Sequence, residues 1–67
     1  MNKLAGYRKM LGMTQEDMAK TFGVSVQAYR MKEVGKTAFT KSEMLTFREM
    51  LRKKLFPLIT IDEIFFD

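Results

Sequence analysis

An all-α fold is the class that the sequence predicts: a compact bundle of about five short helices around one core. Three kinds of signal support it. Apolar residues recur at helical spacing, Ser or Thr residues stand three positions before acidic residues as in helix N-caps, and glycines follow the apolar stretches. Because the chain has 67 residues, 46% of them apolar, we expect residues 1–67 to form a single domain.

The first two helices are indicated by an apolar face and by two glycines. Within residues 3–11, one helical face collects a set with the spacing i, i+3, i+4, i+7. This set is Leu4, Tyr7, Arg8 and Leu11. Gly12 is placed to end that helix. Thr14 then opens a second helix, with Asp17 three positions on, and Gly23 ends it.

The third helix follows after a turn of only about three residues. Ser25 is its expected N-cap, and the helix runs from about Val26 to Val34. Gly35 ends it. In the loop that follows, we expect the ring of Phe39 to turn inward.

Two further capping boxes place the last two helices. Thr40 and Glu43 open the fourth helix, and Pro57 prevents it from continuing. Its predicted core stripe is Met44, Phe47, Leu51 and Leu55. The box at Thr60–Glu63 opens a short fifth helix. Residues 58–61 are rich in amino acids that favour β-strands, but we expect no strand there because the sequence predicts no second strand with which it could pair.

The net charge of +4 is unevenly distributed along the chain. Basic residues outnumber acidic ones in residues 1–36 and again in 37–55, whereas residues 56–67 contain only acidic charges. These are Asp62, Glu63 and Asp67. A basic body favours a polyanionic partner, and an acidic tail should face away from it. On charge alone, an ordinary lysine-rich surface is an equal alternative.

The composition excludes several classes of function. The chain has no Cys and no His, so disulfides and the usual zinc ligands are absent. It also lacks a Gly-rich phosphate loop and a serine in a nucleophile motif, so we expect no enzyme, no cofactor and no small-molecule ligand. No apolar run approaches the roughly 20 residues of a membrane span. Arg8 and Lys9 leave no room for a signal-peptide core, so we expect a cytoplasmic protein.

Residues 15–34 have the pattern of a helix-turn-helix. Ala19 is small where the two helices would cross closely, and Gly23 stands where the tight turn needs a positive φ. Apolar residues occupy the positions that would pack the helix pair on the rest of the domain. These are Met18, Phe22, Val24 and Tyr29.

The segment Leu11–Ser25 resembles the Cro/repressor class of phage and bacterial regulators, also called the XRE class. The ending Phe56–Phe66 is similar to that of small phage members of the class. The resemblance implies a lambda-repressor-like domain of five helices whose third helix enters the major groove. It further implies a Cro-like regulator of transcription, from a phage or prophage, that binds double-stranded DNA.

The third helix has one face that is free to meet DNA. At about 100° per residue, Ala28 and Tyr29 fall on the side that can pack inward. The opposite arc comprises Val26, Gln27, Arg30, Met31 and Val34. We therefore expect this arc to be the reading face.

The side chains on this arc suit contacts with bases. Gln27 can bond adenine bidentately, Arg30 can bond guanine or a phosphate, and the methyl groups of thymine suit Val26 and Met31. The alternative is that Val26, Met31 and Val34 form a protein-contact patch. The chain would then be an interaction protein that keeps the fold but binds another regulator. For Arg30, the alternative is a solvated surface charge.

Contacts to the phosphate backbone are expected around this face. Gln15, at the first position of helix two, should place its amide beside a phosphate. Thr14 and Ser25 add hydroxyls to the candidate DNA-binding set, besides their roles as N-caps. Lys36, directly after helix three, and Lys41 are further phosphate candidates.

Arg8 of helix one and Glu33 of helix three are candidates for an ion pair. In the resembled class, an arginine of helix one commonly pairs with a glutamate of helix three, which implies a structural ion pair between Arg8 and Glu33 that places Arg8 near a phosphate. Two unrelated surface charges are the alternative.

The class usually has an apolar residue where this chain has Lys32. Either the Lys32 stem lies on the core with its ammonium in solvent, or helix three ends early.

The carboxyl-terminal tail is the candidate dimer contact. Ile64, Phe65 and Phe66 cannot all point inward at helical spacing, so at least one should stay exposed in a monomer. We expect a homodimer, formed in solution or only on DNA, on a pseudo-palindromic operator. The alternative is a monomer in which Phe66 folds back over Leu55 and Phe56.

Overall fold

The computed structural model of the protein describes residues 2–66 and confirms the all-α prediction. Its helices are α1 (Lys3–Met10), α2 (Gln15–Phe22), α3 (Val26–Glu33), α4 (Lys41–Lys54) and α5 (Asp62–Phe66). Within residues 2–66 there is no strand, so the run at 58–61 does not form one, as expected. None of these described helices is long and apolar enough to cross a lipid bilayer. Asp67, one of the three acidic residues of the tail, lies outside the described residues.

The helix starts follow the capping signals of the sequence. Thr14 and Thr40 each accept a hydrogen bond from a backbone N–H three residues on, in the reciprocal arrangement of a capping box. The N-cap of α1 is a residue that sequence reasoning missed. Asn2 accepts from the backbone N–H groups of Leu4 and Ala5.

The turn between α2 and α3 has the three residues expected of it. Gly23 adopts φ 69°, a conformation that costs side-chain-bearing residues energy, and its N–H and that of Val24 close the end of α2. Ser25 then caps α3 by accepting from the backbone N–H of Ala28 at 3.0 Å. The turn thereby sets the angle between the two helices.

The core is built from one face of every helix except α1, whose apolar side chains cover its edge. The fully or nearly buried apolar residues are Met18, Ala19, Tyr29, Phe47, Leu51, Ile59 and Ile64. Phe39 turns inward from the α3–α4 loop, and its ring centroid lies 5.1 Å from that of Phe65. The face of α1 predicted from its spacing is half-buried as a set, at Leu4, Tyr7, Arg8 and Leu11.

The carboxyl-terminal end of α4 differs from the prediction. The helix ends at Lys54, and Leu55 is its C-cap residue, 39% exposed and outside the core stripe. The chain then turns back, and Arg52 Nε holds the turn by donating to the carbonyl of Ile59 at 2.8 Å. Pro57 prevents the helix from continuing, and Ile59, two residues after it, is buried in the core whereas Leu55 is not.

The tail is only partly free. The Thr60–Glu63 capping box is present, with hydrogen bonds of 3.0 and 3.2 Å, but the segment it opens, α5, is π-helical. Ile64 is buried and Phe65 packs against the core, so neither can serve as the exposed dimer contact that the sequence indicated. Phe66 is 65% exposed and does not fold back into the interior.

Candidate nucleic-acid interface

The orientation of α3 is set by Tyr29. Its side chain is fully buried, and its ring stacks on that of Phe22 of α2, with centroids 6.1 Å apart and planes 13° from parallel. Such offset stacking adds to the burial of both rings. With Tyr29 facing inward, the opposite side of α3 faces solvent.

The exposed side of α3 carries most of the predicted reading arc. Gln27 and Arg30 are exposed, and Met31 and Val34 are 38% and 59% exposed. Val26 differs from the expectation. As the first residue of α3 it lies beside the turn, is half-buried and packs against the core, so its side chain is only partly available to a ligand.

The two cap residues keep a free donor. The Oγ atoms of Thr14 and Ser25 accept from the N–H groups of Asp17 and Ala28, at 3.0 Å each. A hydroxyl that accepts a hydrogen bond still has its own proton to donate. Both residues are exposed. Capping and a contact to a phosphate oxygen are therefore compatible at the same side chain.

A buried ion pair connects α1 to the end of α3. Arg8 Nε donates to Glu33 Oε2 at 2.7 Å, with side-chain exposures of 11% and 4%. Arg8 also donates to the carbonyl of Met13 at 3.0 Å, and Asn2 Nδ2 donates to the backbone carbonyl of Glu33 at 2.8 Å. The structure thus brings the two predicted partners together. The Arg8 side chain is only 11% exposed, so little of its guanidinium is open to a phosphate, and its proximity to DNA remains a prediction.

The neighbours of this ion pair determine the protonation states of its groups and of Tyr29. Burial raises the pKa of Glu33, but the hydrogen bonds from Arg8 and Gln15, together with the nearby Tyr29 hydroxyl, outweigh it and leave the pKa below its ordinary value. The hydrogen bond to Glu33 raises the pKa of Arg8. For Tyr29, burial and then the Glu33 carboxylate raise the pKa. At neutral pH the site therefore contains an ionised pair beside a neutral phenol.

Gln15 lies between the ion pair and the exposed face of α3. Its Nε2 donates to Glu33 Oε1 at 3.0 Å, and its Oε1 accepts from Arg30 Nε at 2.9 Å. Both ends of the amide are therefore engaged by other side chains of the protein, one buried and one exposed, whereas the sequence analysis expected this amide beside a phosphate. Sequence reasoning missed this link, since Gln15 and Arg30 are 15 positions apart.

The structure shows how the Lys32 ammonium is accommodated at a position where the class usually has an apolar residue. Helix α3 continues one residue past it, and its ammonium donates to Glu43 Oε1 at 3.0 Å and to the Ala38 carbonyl at 3.2 Å. The ammonium lies 5.9 Å from the centroid of the Phe39 ring. Burial raises the pKa of Glu43, but the Thr40 N–H and Lys32 together lower it below its ordinary value. The charge is thus accommodated by pairing with a carboxylate of α4 rather than by reaching solvent.

The predicted phosphate-contact lysines lie at the ends of helices. Lys36 is exposed, and its backbone N–H is held by the Met31 carbonyl at 2.9 Å directly after α3. Lys41 is exposed at the first position of α4. Both ammonium groups are free to move toward a polyanion, since neither takes part in an ion pair among the described residues.

Comparison with known families agrees with this geometry. The family model described as Helix-turn-helix matches residues 4–57, which span α1 to the turn after α4. The chain belongs to this family. It is an XRE-type helix-turn-helix protein, a family of DNA-binding regulators. No curated protein and no solved structure matches the chain.

Proposed function

We propose that this XRE-type chain is a Cro-like transcriptional regulator that reads a specific operator with α3 in the major groove. The exposure of Gln27 and Arg30 on α3, opposite the buried Tyr29, is the observation that carries the proposal. Both side chains have the donors and acceptors that distinguish base pairs in that groove. The hydroxyls of Thr14 and Ser25 then supply contacts that set the position on the backbone.

Selection of bound sequences from a random DNA pool tests the proposal directly. We expect a consensus with two related half-sites. Binding without any sequence preference would contradict operator reading. A consensus would also argue against the rival function, an interaction protein that binds another regulator through Met31 and Val34, which are the exposed apolar residues of α3.

Lys36→Ala should weaken binding to the consensus and to random DNA alike. A phosphate contact is independent of sequence, so its loss should reduce the slope of log affinity against log salt by about one unit. Fluorescence anisotropy at several salt concentrations measures both quantities. Lys53→Ala removes the same charge at the far end of α4 and is the matched control, with no change of slope expected. An unchanged slope for Lys36→Ala would remove this lysine from the interface.

We also propose that the chain binds its operator as a homodimer through its carboxyl-terminal apolar surface. Phe66 is 65% exposed and Leu58 is 86% exposed, on the two sides of the Thr60–Glu63 capping box. Asp62 and Glu63 make this end unsuitable for DNA. A self-complementary contact there would set two recognition helices about one DNA turn, 34–36 Å, apart.

Phe66→Ser should abolish cooperative binding of two copies to the operator, because it removes the larger exposed apolar side chain of the tail. Sedimentation velocity of the wild type, Phe66→Ser and Leu58→Ser, each with and without operator DNA, measures the stoichiometry. Thr46→Ser, a conservative change in the middle of α4, is a control with no expected change. If all four proteins bind two per operator with equal cooperativity, the tail is not the dimer contact.

A further inference from the structure

Gln15 links the exposed Arg30 to the buried ion pair of Arg8 and Glu33. A carboxylate can only accept hydrogen bonds and a guanidinium can only donate them. The Gln15 amide therefore has one orientation that satisfies both neighbours, with Nε2 toward Glu33 and Oε1 toward Arg30. Arg8 holds the Glu33 side chain in place, and Glu33 in turn holds the Gln15 amide at the start of α2. Through this amide, the buried pair restricts the position of Arg30 on the exposed face of α3.

This link restricts how Arg30 presents its guanidinium. An exposed arginine otherwise samples many rotamers, and each contact it makes with a ligand then requires that freedom to be lost. Here Arg30 Nε is occupied by Gln15 at 2.9 Å, which leaves the two terminal nitrogens as a planar fork. That fork matches the O6 and N7 acceptors of guanine in the major groove.

We propose that Gln15 is a specificity-determining positioning residue, which holds Arg30 in the orientation that reads a guanine. The inference rests on the proposed function, since it requires α3 in the major groove. Gln15 itself contacts no base. Its bond to Arg30 is at the exposed surface, and Glu33 retains Arg8 as a partner, so the effect of Gln15 is on recognition more than on folding.

A double-mutant cycle in DNA selection tests the positioning role. Gln15→Met keeps the length of the side chain and removes both hydrogen bonds. Arg30→Ala should abolish the preference for guanine at one position of each half-site, and Gln15→Met should reduce the preference at that same position by about fivefold. In the double variant, Gln15→Met should add nothing to the loss caused by Arg30→Ala.

Several outcomes would overturn the proposal. If Gln15→Met weakens binding equally to all sequences, Gln15 is an uncharged contact to the phosphate backbone and the positioning role is wrong, while operator reading stands. The positioning role is also wrong, with operator reading intact, if Gln15→Met has the same preference for guanine as the wild type. It is equally wrong if Arg30→Ala retains that preference. If the wild type selects no consensus, operator reading and the positioning role both fail.

A measurement on the wild type is independent of any effect of Gln15→Met on folding. Nitrogen relaxation of the arginine Nε–H groups should show Arg30 as ordered in the free protein as Arg52, whose Nε donates to the Ile59 carbonyl at 2.8 Å. A mobile Arg30 Nε–H beside an ordered Arg52 Nε–H would overturn the proposal without any variant.

Discussion

Replacing Glu33 with alanine should lower the free energy of unfolding by about 3 kcal/mol. The Glu33 side chain is 4% exposed, and its removal leaves the Arg8 guanidinium, 11% exposed, without a counter-charge. The Gln15 amide also loses its acceptor. We expect the lower end of the range for a broken buried ion pair, because Arg8 keeps its bond to the Met13 carbonyl. Urea denaturation followed by circular dichroism measures the change.

An exposed ion pair supplies the control for this prediction. Arg48 and Glu49 lie 3.4 Å apart with side-chain exposures of 26% and 54%, so Glu49→Ala should cost less than about 1 kcal/mol. In a double-mutant cycle, Arg8→Ala and Glu33→Ala should couple by about 0.5–2 kcal/mol. Additive losses, or a loss for Glu33→Ala no larger than that for Glu49→Ala, would show that the buried pair does not stabilise the fold.

Replacing Gln27 with alanine should cost about 1–3 kcal/mol of binding free energy on the preferred site and little on random DNA. Gln27 is exposed near the amino-terminal end of α3, and its side chain makes no hydrogen bond within residues 2–66 that binding would have to break. A bidentate contact to adenine depends on the base, whereas contacts to phosphates do not. Competition binding with the consensus and with random DNA separates the two effects.

The Gln27→Ala and Lys36→Ala variants should have opposite profiles. Loss of Gln27 should relax the consensus at one base pair and leave the salt slope unchanged, whereas loss of Lys36 should change the slope and leave the consensus intact. Equal losses for Gln27→Ala on both DNAs would exclude base reading by this side chain. The two variants together therefore distinguish specific from non-specific contacts on one surface.

The order of the helices was predictable because the signals that begin and end them are local. A threonine cap and its acidic partner are three residues apart, as at Thr14 and Thr40, and a glycine ends a helix through its own φ. Burial by face was predictable for the same reason, since helical spacing decides which side chains share a side. The prediction failed at Leu55, where the chain leaves the helix and Ile59 returns to the core by tertiary packing.

The candidate site was only half predictable. The exposed arc of α3 with Gln27 and Arg30 was predictable, because the inward position of Tyr29 follows from helical periodicity. The partners of polar groups that are distant in sequence became known only from the packing of the helices. Asn2, Gln15 and Lys32 bond residues 31, 18 and 11 positions away, at Glu33 and Glu43. Such pairs depend on the angles and distances at which the helices cross, and the residue spacing within one helix does not specify these. A buried charge must pair with a polar group that the crossing places within bonding distance, because an unpaired buried charge is costly.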